Sequence, residues 1–134
     1  MITWLWVAIG GALGSMARFG VGMAAAQAWG DAFPWGTLLI NIAGSFVIGF
    51  FGTLTAQAGP MPAPQGLRVF VMVGICGGFT TFSAFSLQTL ELLQAGEAIR
   101  AGLYIVFSVV LCLIGVFLGY WLASRIGFLP RTEP

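Results

Sequence analysis

The sequence has no histidine and no lysine, and charged residues fill only 7% of its 134 positions. The absence of imidazole groups excludes histidine-based acid–base catalysis and argues against most transition-metal sites. No nucleophile with a base partner is visible either. The scarcity of these groups therefore predicts a protein that is not an enzyme.

Cysteine is also scarce. The two cysteines, Cys76 and Cys112, fall inside apolar segments rather than in loops, so a disulfide framework has no support. The amino terminus, "MITWLWVAIGG", lacks the basic region and the small-residue cleavage site of a removable signal peptide. The first apolar segment is therefore expected to stay in the protein.

Apolar residues dominate what is present: 59% of the chain is hydrophobic, and the mean hydropathy is +1.00. A helix needs roughly 20 apolar residues to cross the hydrocarbon core of a bilayer. Four stretches are long enough, at about 3–26, 35–57, 68–93 and 101–124. The composition predicts an all-α integral membrane protein, with residues 1–134 forming a single transmembrane domain.

The distribution of arginine sets the orientation only weakly. If the spans alternate, Arg68, Arg125 and Arg131 lie on one side of the membrane and Arg100 on the other. Because the arginine counts on the two sides are nearly balanced, the chain could insert in both directions. Four helices are also few to enclose a pore by themselves. We expect a homodimer of dual topology.

The first span contains "GGALGSMARFGVG", in which Gly14, Arg18 and Gly22 follow one another at intervals of four. Such small residues let helices approach closely. Arg18 then lies on the small-residue face and is a candidate for attracting anions. The alternative is that its side chain extends along the helix to the membrane surface.

Two polar stripes follow from residues spaced one helical turn apart. Thr37, Asn41 and Ser45 form the stripe of the second span. Tyr104, Ser108 and Cys112 form that of the fourth span. Ordinary helix packing and hydrogen bonding between helices are the alternative for both stripes, but an unpaired Asn41 amide would be costly in hydrocarbon. Asn41 is therefore the better functional candidate.

The third span is the least regular. Its stretch "GICGGFTTFSAFS" groups Gly74, Gly77 and Gly78 before the β-branched pair Thr80 and Thr81, which predicts a helix break. Backbone groups freed at membrane depth must be buried in protein, water or ions, so a break is typical of a binding site. An unbroken helix packed through Gly74 and Gly78 is the alternative.

Phenylalanines follow the predicted break. Phe82 and Phe85 are three residues apart and interleaved with Ser83 and Ser86. The edge of an aromatic ring is partly positive, so rings facing a narrow path edge-on favour an anion without fixed charge. Together with hydroxyl and amide donors, they suit a small, strongly hydrated anion. The alternative is an ordinary core or lipid-facing role.

These motifs, in this order, resemble the CrcB/Fluc family of fluoride channels. The resemblance covers essentially the whole chain, through "GGALGSMARFG", "GTLLINIAGSFVIG" and the highly specific "GICGGFTTFSAFS". It implies an antiparallel, dual-topology homodimer with a broken third helix and two fluoride pathways at the dimer interface. The function it implies is passive, fluoride-selective export by a multi-pass protein of the bacterial plasma or inner membrane. Its partners would be fluoride, a second copy of itself and the lipid bilayer, with no nucleic acid.

The resemblance also implies roles for individual residues. Carbonyl groups of Gly77 and Thr80 from both subunits would hold a structural sodium ion at the dimer centre. The ring edges of Phe82 and Phe85 would line the pathways, with Asn41 as the donor beside them. Polar side chains would continue each pathway as a polar track, formed by Thr81, Ser83, Tyr104 and Ser108. Arg18 would lie toward the aqueous entrance.

Three positions depart from the commoner family pattern: Ala84 stands for threonine, Gln88 for glutamate and Cys112 for serine. Gln88 removes a carboxylate from that turn, and the Cys112 thiol is a weaker donor than a hydroxyl. A proton-coupled small multidrug exporter and a noncatalytic assembly subunit remain as alternatives. Proton coupling needs an ionisable group inside the membrane, and none of the four acidic residues lies at a convincing midpoint.

Overall fold

The computed structural model of the chain describes residues 2–127, which are predominantly helical. In chain order the helices are α1 (Ile2–Trp29), α2 (Trp35–Leu54), α3 (residues 65–79), α4 (Phe82–Gln94) and α5 (Ala98–Gly127). Within the described residues, four spans are long and apolar enough to cross a membrane, with α3 and α4 forming the third. Arg131 lies outside the described residues.

The ends of the helices differ by a few residues from the predicted spans. The first span runs through Trp29 rather than residue 26, and Gly30 then turns the chain with a positive φ of 72°. The last span already begins at Ala98, two residues after Gly96, whose φ is 77°. Glycine adopts this left-handed conformation without the steric cost that a side chain imposes.

The second span ends at Leu54, earlier than the predicted residue 57, because polar groups close the helix there. The hydroxyl of Thr55 donates to the carbonyl of Phe51 at 2.6 Å. Arg68 Nη1 donates both to the Gly52 carbonyl at 3.1 Å and to Thr55 Oγ1 at 2.8 Å. A guanidinium at a helix C-terminus pairs with carbonyls that have no helical partner and complements the helix dipole.

Replacing Arg68 with alanine is expected to lower the free energy of unfolding by about 2 kcal/mol, because hydrogen bonds to charged groups each contribute on the order of 1.5–3 kcal/mol. Arg100 is the matched control, since its 3.3 Å ion pair with Glu97 is exposed. Such exposed pairs contribute about 1 kcal/mol or less. Thermal unfolding in detergent compares the two variants, and an equal loss would contradict the capping role of Arg68.

Helices α1 and α3 run side by side in the same direction, with almost no space between their backbones. A Cβ atom at Gly10 would come within 2.9 Å of the Gly74 Cα, and one at Gly14 would collide with the Ile75 carbonyl. Helices can approach this closely only where side chains are absent. The glycines of the first span therefore allow α3 to pack directly against the α1 backbone.

Helices α2 and α5 form the second parallel pair. A Cβ at Gly115 would lie 3.6 Å from the Ser45 Cβ, and one at Gly119 would meet the Phe46 carbonyl. Gly22 of α1 meets Gly36 of α2, where the two helices run antiparallel after a short turn. The four spans therefore form an alternating bundle.

Helix α3 is not wound uniformly. It is α-helical over Gln65–Arg68, π-helical over Val69–Cys76, and α-helical again over Gly77–Phe79. The sequence pattern did not predict the π-helical segment. Such wide turns are frequently found at functional sites in other proteins, and only the short turn Gly77–Phe79 separates this one from the non-helical residues described next.

Candidate functional site

Between α3 and α4 the backbone is extended at two residues. Thr80 has φ −78° and ψ 158°, and Thr81 has φ −154° and ψ 117°. The amide and the hydroxyl of Thr80 both donate to the Cys76 carbonyl, at 2.9 and 2.8 Å. The last turn of α3 is thus closed by Thr80, whose β-branched side chain suits an extended conformation.

Asn41 of α2 is paired with the backbone of Thr81. The Asn41 amide nitrogen donates to the Thr81 carbonyl at 3.0 Å, while Asn41 Oδ1 accepts from the Thr81 amide at 2.8 Å. The side-chain amide therefore satisfies both backbone groups of an extended residue, as a neighbouring β-strand would. One amide proton of Asn41 takes no part in this pair.

The hydroxyl of Thr81 caps the N-terminus of α4. Its oxygen accepts from the Ala84 amide at 3.1 Å and lies 3.3 Å from the hydroxyl of Ser83. Threonine is a favoured residue at this position because its oxygen pairs with one of the unpaired amides of the first turn. The Thr81 hydroxyl, predicted as part of the polar track, is thus engaged within its own segment.

These two interactions release two backbone carbonyls. In an uninterrupted helix, the Thr81 amide would donate to Gly77 and the Ala84 amide to Thr80. Here the Thr81 amide donates to Asn41, and the Ala84 amide donates to the Thr81 hydroxyl. The carbonyls of Gly77 and Thr80 are therefore free of their helical donors.

Gly44 supports the non-helical segment from α2. A Cβ at Gly44 would collide with the methyl group of Thr80, so only glycine leaves room for the Thr80 side chain. The sequence interpretation assigned Gly44 no role. The signal was its position three residues after Asn41, which places Gly44 on the same side of α2 as Asn41.

A cavity of about 470 Å³ opens beside these residues, bounded by α2, α3, α4 and α5. None of the described residues that line it carries a charge. Its lining combines two rings with amide, hydroxyl and thiol groups: Phe82, Phe85, Asn41, Ser45, Thr80, Thr81, Ser108 and Cys112. Residues of the two predicted stripes and of the segment after α3 thus meet at one cavity.

Ser108 is the least satisfied polar residue of this cavity. Only 7% of its surface is exposed, and within residues 2–127 its hydroxyl oxygen has no hydrogen-bond partner. A buried polar atom without a partner is rare and costs free energy. Within the described residues, the Ser108 hydroxyl thus remains a buried polar group without a protein partner.

Three aromatic rings follow one another in a row: Phe82 and Phe85, which line the cavity, and Tyr104, which does not. The ring centroids of Phe82 and Phe85 are 5.3 Å apart and inclined at 47°, and that of Phe85 lies 5.1 Å from the Tyr104 ring. Phe82 is 78% exposed on the surface of the single chain, whereas Tyr104 is fully buried.

Tyr104 is not among the residues that line this cavity. Its hydroxyl donates to Gln88 Oε1 at 2.9 Å, an interaction that the sequence interpretation missed although it noted the exchange of glutamate for glutamine. Gln88 lines a second cavity of about 540 Å³ together with Thr37 and Glu91. Tyr104 therefore lies between Phe85 of the first cavity and Gln88 of the second.

Ser83 and Arg18 also lie away from the lining of the first cavity. Ser83 is exposed at the start of α4, and its hydroxyl faces Thr81. Arg18 is half-buried and forms no ion pair with another residue of the described range. It is four residues from both Gly14, which meets α3, and Gly22, which meets α2.

Comparisons with known proteins agree on one family. Residues 5–120 match the family described as CrcB-like protein, Camphor Resistance (CrcB). A protein of Methylocella silvestris named fluoride-specific ion channel FluC is 56% identical over 123 residues, which cover 92% of this chain and 94% of that protein. Proteins of the same name from Opitutus terrae and Rhodospirillum rubrum are 56% identical over 120 and 119 residues, which cover 90% and 89% of this chain and 91% and 92% of theirs.

The family match covers most of each of the four membrane helices and the whole lining of the cavity. The prediction of a multi-pass membrane protein is confirmed, as is the resemblance drawn from the sequence motifs. This chain belongs to the CrcB family of membrane proteins.

Proposed function

We propose that the protein is a fluoride-selective ion channel that lets fluoride leave the cell passively. The single observation that carries this proposal is the uncharged cavity in which two phenylalanine rings lie beside polar groups and an unpaired buried hydroxyl. A small anion must exchange its water for donors without being held too tightly to leave. The curated relatives bear the name of a fluoride-specific channel, which supports the same conclusion.

In this proposal each lining residue supplies one kind of interaction. The ring edges of Phe82 and Phe85 attract the anion through their partly positive rim. The spare amide proton of Asn41 and the hydroxyl of Ser108 act as donors along the wall. Tyr104 separates this cavity from the second one, so fluoride would pass its ring and the Gln88 side chain to reach the opposite mouth.

The same proposal includes an antiparallel homodimer of dual topology with two pathways at its interface. The cavity is open at the surface of the single chain, and Phe82 is largely exposed there, so a second copy would enclose both. The ends of the described bundle also complement each other. Arg68 and Arg125 lie at the end where α1 begins. The opposite end carries three carboxylates and one arginine: Asp31, Glu91, Glu97 and Arg100. In an antiparallel pair, the arginine end of one copy would lie beside the carboxylate end of the other.

A structural sodium ion at the dimer centre is the third part of the proposal. The carbonyls of Gly77 and Thr80 have lost their helical donors, and both residues line the open cavity. Carbonyl oxygens are suitable ligands for a hard cation of low charge. We propose that these groups from two copies hold the ion, and that the interrupted third span serves this purpose.

The alternatives have less support. A proton-coupled exporter needs an ionisable group within its transport site, yet none of the described residues that line the first cavity is charged. Glu91 lies near the end of α4 and lines the second cavity with Glu97 and Arg100. An assembly subunit would not need an unpaired hydroxyl beside two aromatic rings.

Purified protein in liposomes that contain equal fluoride and chloride is expected to release fluoride at least about a hundredfold faster. A barrier difference of about 2.7 kcal/mol is enough for that ratio. Ion-selective electrodes measure both rates without a proton gradient, and protein-free liposomes give the background. Equal release of the two halides, or release only when a proton gradient is imposed, would refute the assignment.

A further inference from the structure

The paired hydrogen bonds of Asn41 decide which partner the Thr81 amide takes. An extended residue at membrane depth must find partners for its amide and carbonyl, since no water is there to supply them. Two acceptors compete for the Thr81 amide: the carbonyl of Gly77, four residues earlier in the chain, and the Asn41 side chain. The amide is 2.8 Å from Asn41 Oδ1, so the Gly77 carbonyl is released.

We infer that Asn41 is a positioning residue for the cation site as well as a donor to the anion, an inference that rests on the proposed function. Its side-chain oxygen holds the Thr81 amide away from Gly77, and its nitrogen holds the Thr81 carbonyl. Without this oxygen acceptor, the Thr81 amide would return to Gly77 and the helix would close over one of the two proposed ligands. Asn41 thus maintains the interruption that exposes the carbonyl.

The chemistry of the residue explains why asparagine is needed here. Only an amide side chain offers an acceptor and two donor protons at one short reach, so it can pair with both Thr81 groups and still direct a proton into the cavity. Ser45, one turn later on α2, lines the same cavity but shares no hydrogen bond with Thr81. Gly44 keeps α2 close enough to Thr80 for the pair to form.

This arrangement links the two ions through one side chain. The same amide that borders the uncharged cavity also keeps open the carbonyl proposed for sodium. A substitution at Asn41 should therefore change the response to sodium even when no fluoride is present. A residue that acted only as an anion donor would leave that response intact.

The test measures the melting temperature of the purified protein in sodium chloride and in N-methylglucamine chloride at equal ionic strength, without fluoride. For the unaltered chain, sodium at a hundredfold excess over its dissociation constant should raise the melting temperature by on the order of 5 °C. In Asn41→Ala this sodium-specific rise should disappear. The control Ser45→Ala should keep it.

Asn41→Asp provides the second variant, because one carboxylate oxygen still accepts from the Thr81 amide, although the donor to the Thr81 carbonyl is lost. This variant should keep the sodium-specific rise in melting temperature. If the rise is lost in Asn41→Asp, the inference is overturned even if Asn41→Ala does not fold. An undiminished rise in Asn41→Ala would overturn the positioning role while leaving the sodium site in place. Absence of any sodium-specific rise in the unaltered chain would instead remove the proposed sodium site, and the inference with it.

Discussion

Replacing Phe85 with alanine is expected to slow fluoride efflux by about 10- to 100-fold, which corresponds to a rise in the barrier of about 1.4–2.7 kcal/mol. The reason is the position of the ring. It lines the first cavity, 5.3 Å from the Phe82 ring and 5.1 Å from the Tyr104 ring. Removing it takes away a partly positive rim where no charged residue can replace it. Efflux from liposomes measures the effect.

The substitution Phe85→Leu separates the two properties of the ring. Leucine retains much of the apolar volume but has no ring edge, so efflux should fall nearly as far as with alanine. Phe107→Ala is the matched control, because Phe107 is also partly exposed, at 42%, but lies outside the cavity lining. Normal efflux in Phe85→Leu would contradict the role of the ring edge, even if the protein proved to be a channel.

Replacing Gly14 with alanine is expected to lower the free energy of unfolding by about 3 kcal/mol, at the upper end of the usual cost of overpacking. The added Cβ would collide with the Ile75 carbonyl and come within 2.8 Å of the Phe79 amide nitrogen. Both partners are backbone atoms, so neither can move aside as a flexible side chain would. The strain would fall on α3 directly before the extended residues.

Gly11 offers a control within the same short motif. A Cβ at Gly11 has no neighbour within 4 Å, so Gly11→Ala should be neutral or stabilising by up to about 1 kcal/mol through helix propensity. Thermal unfolding in detergent, together with the yield of folded protein, compares the two variants. Equal stability of Gly11→Ala and Gly14→Ala would mean that α1 and α3 do not pack as closely as described.

The sequence was most informative about the membrane class and the number of spans. Apolar runs of sufficient length follow from composition alone, and the four spans predicted from them agree with the four found within residues 2–127. The ends of the spans were predicted less accurately. The end of α2 at Leu54 depends on Arg68, which approaches from the start of the next span.

Site residues could be selected by type but not by partner. Spacing along α2 singled out Asn41, yet it could not indicate that the amide pairs with Thr81, forty residues later in the chain. The Tyr104 hydroxyl is a similar case, because its acceptor Gln88 belongs to another helix. Periodicity reports which side of a helix a residue occupies, whereas a hydrogen bond between helices depends on how those helices pack.

The sequence by itself determined that the chain must live in a lipid bilayer, because so apolar a surface is unstable in water. It also determined where helix formation is weakest, through the glycines near the end of α3 and the two threonines that follow it. Only the tertiary structure decided which backbone carbonyls lose their helical donors and which hydroxyl has no partner within residues 2–127. Those outcomes depend on competition between donors from different helices, and that competition exists only once the helices are packed.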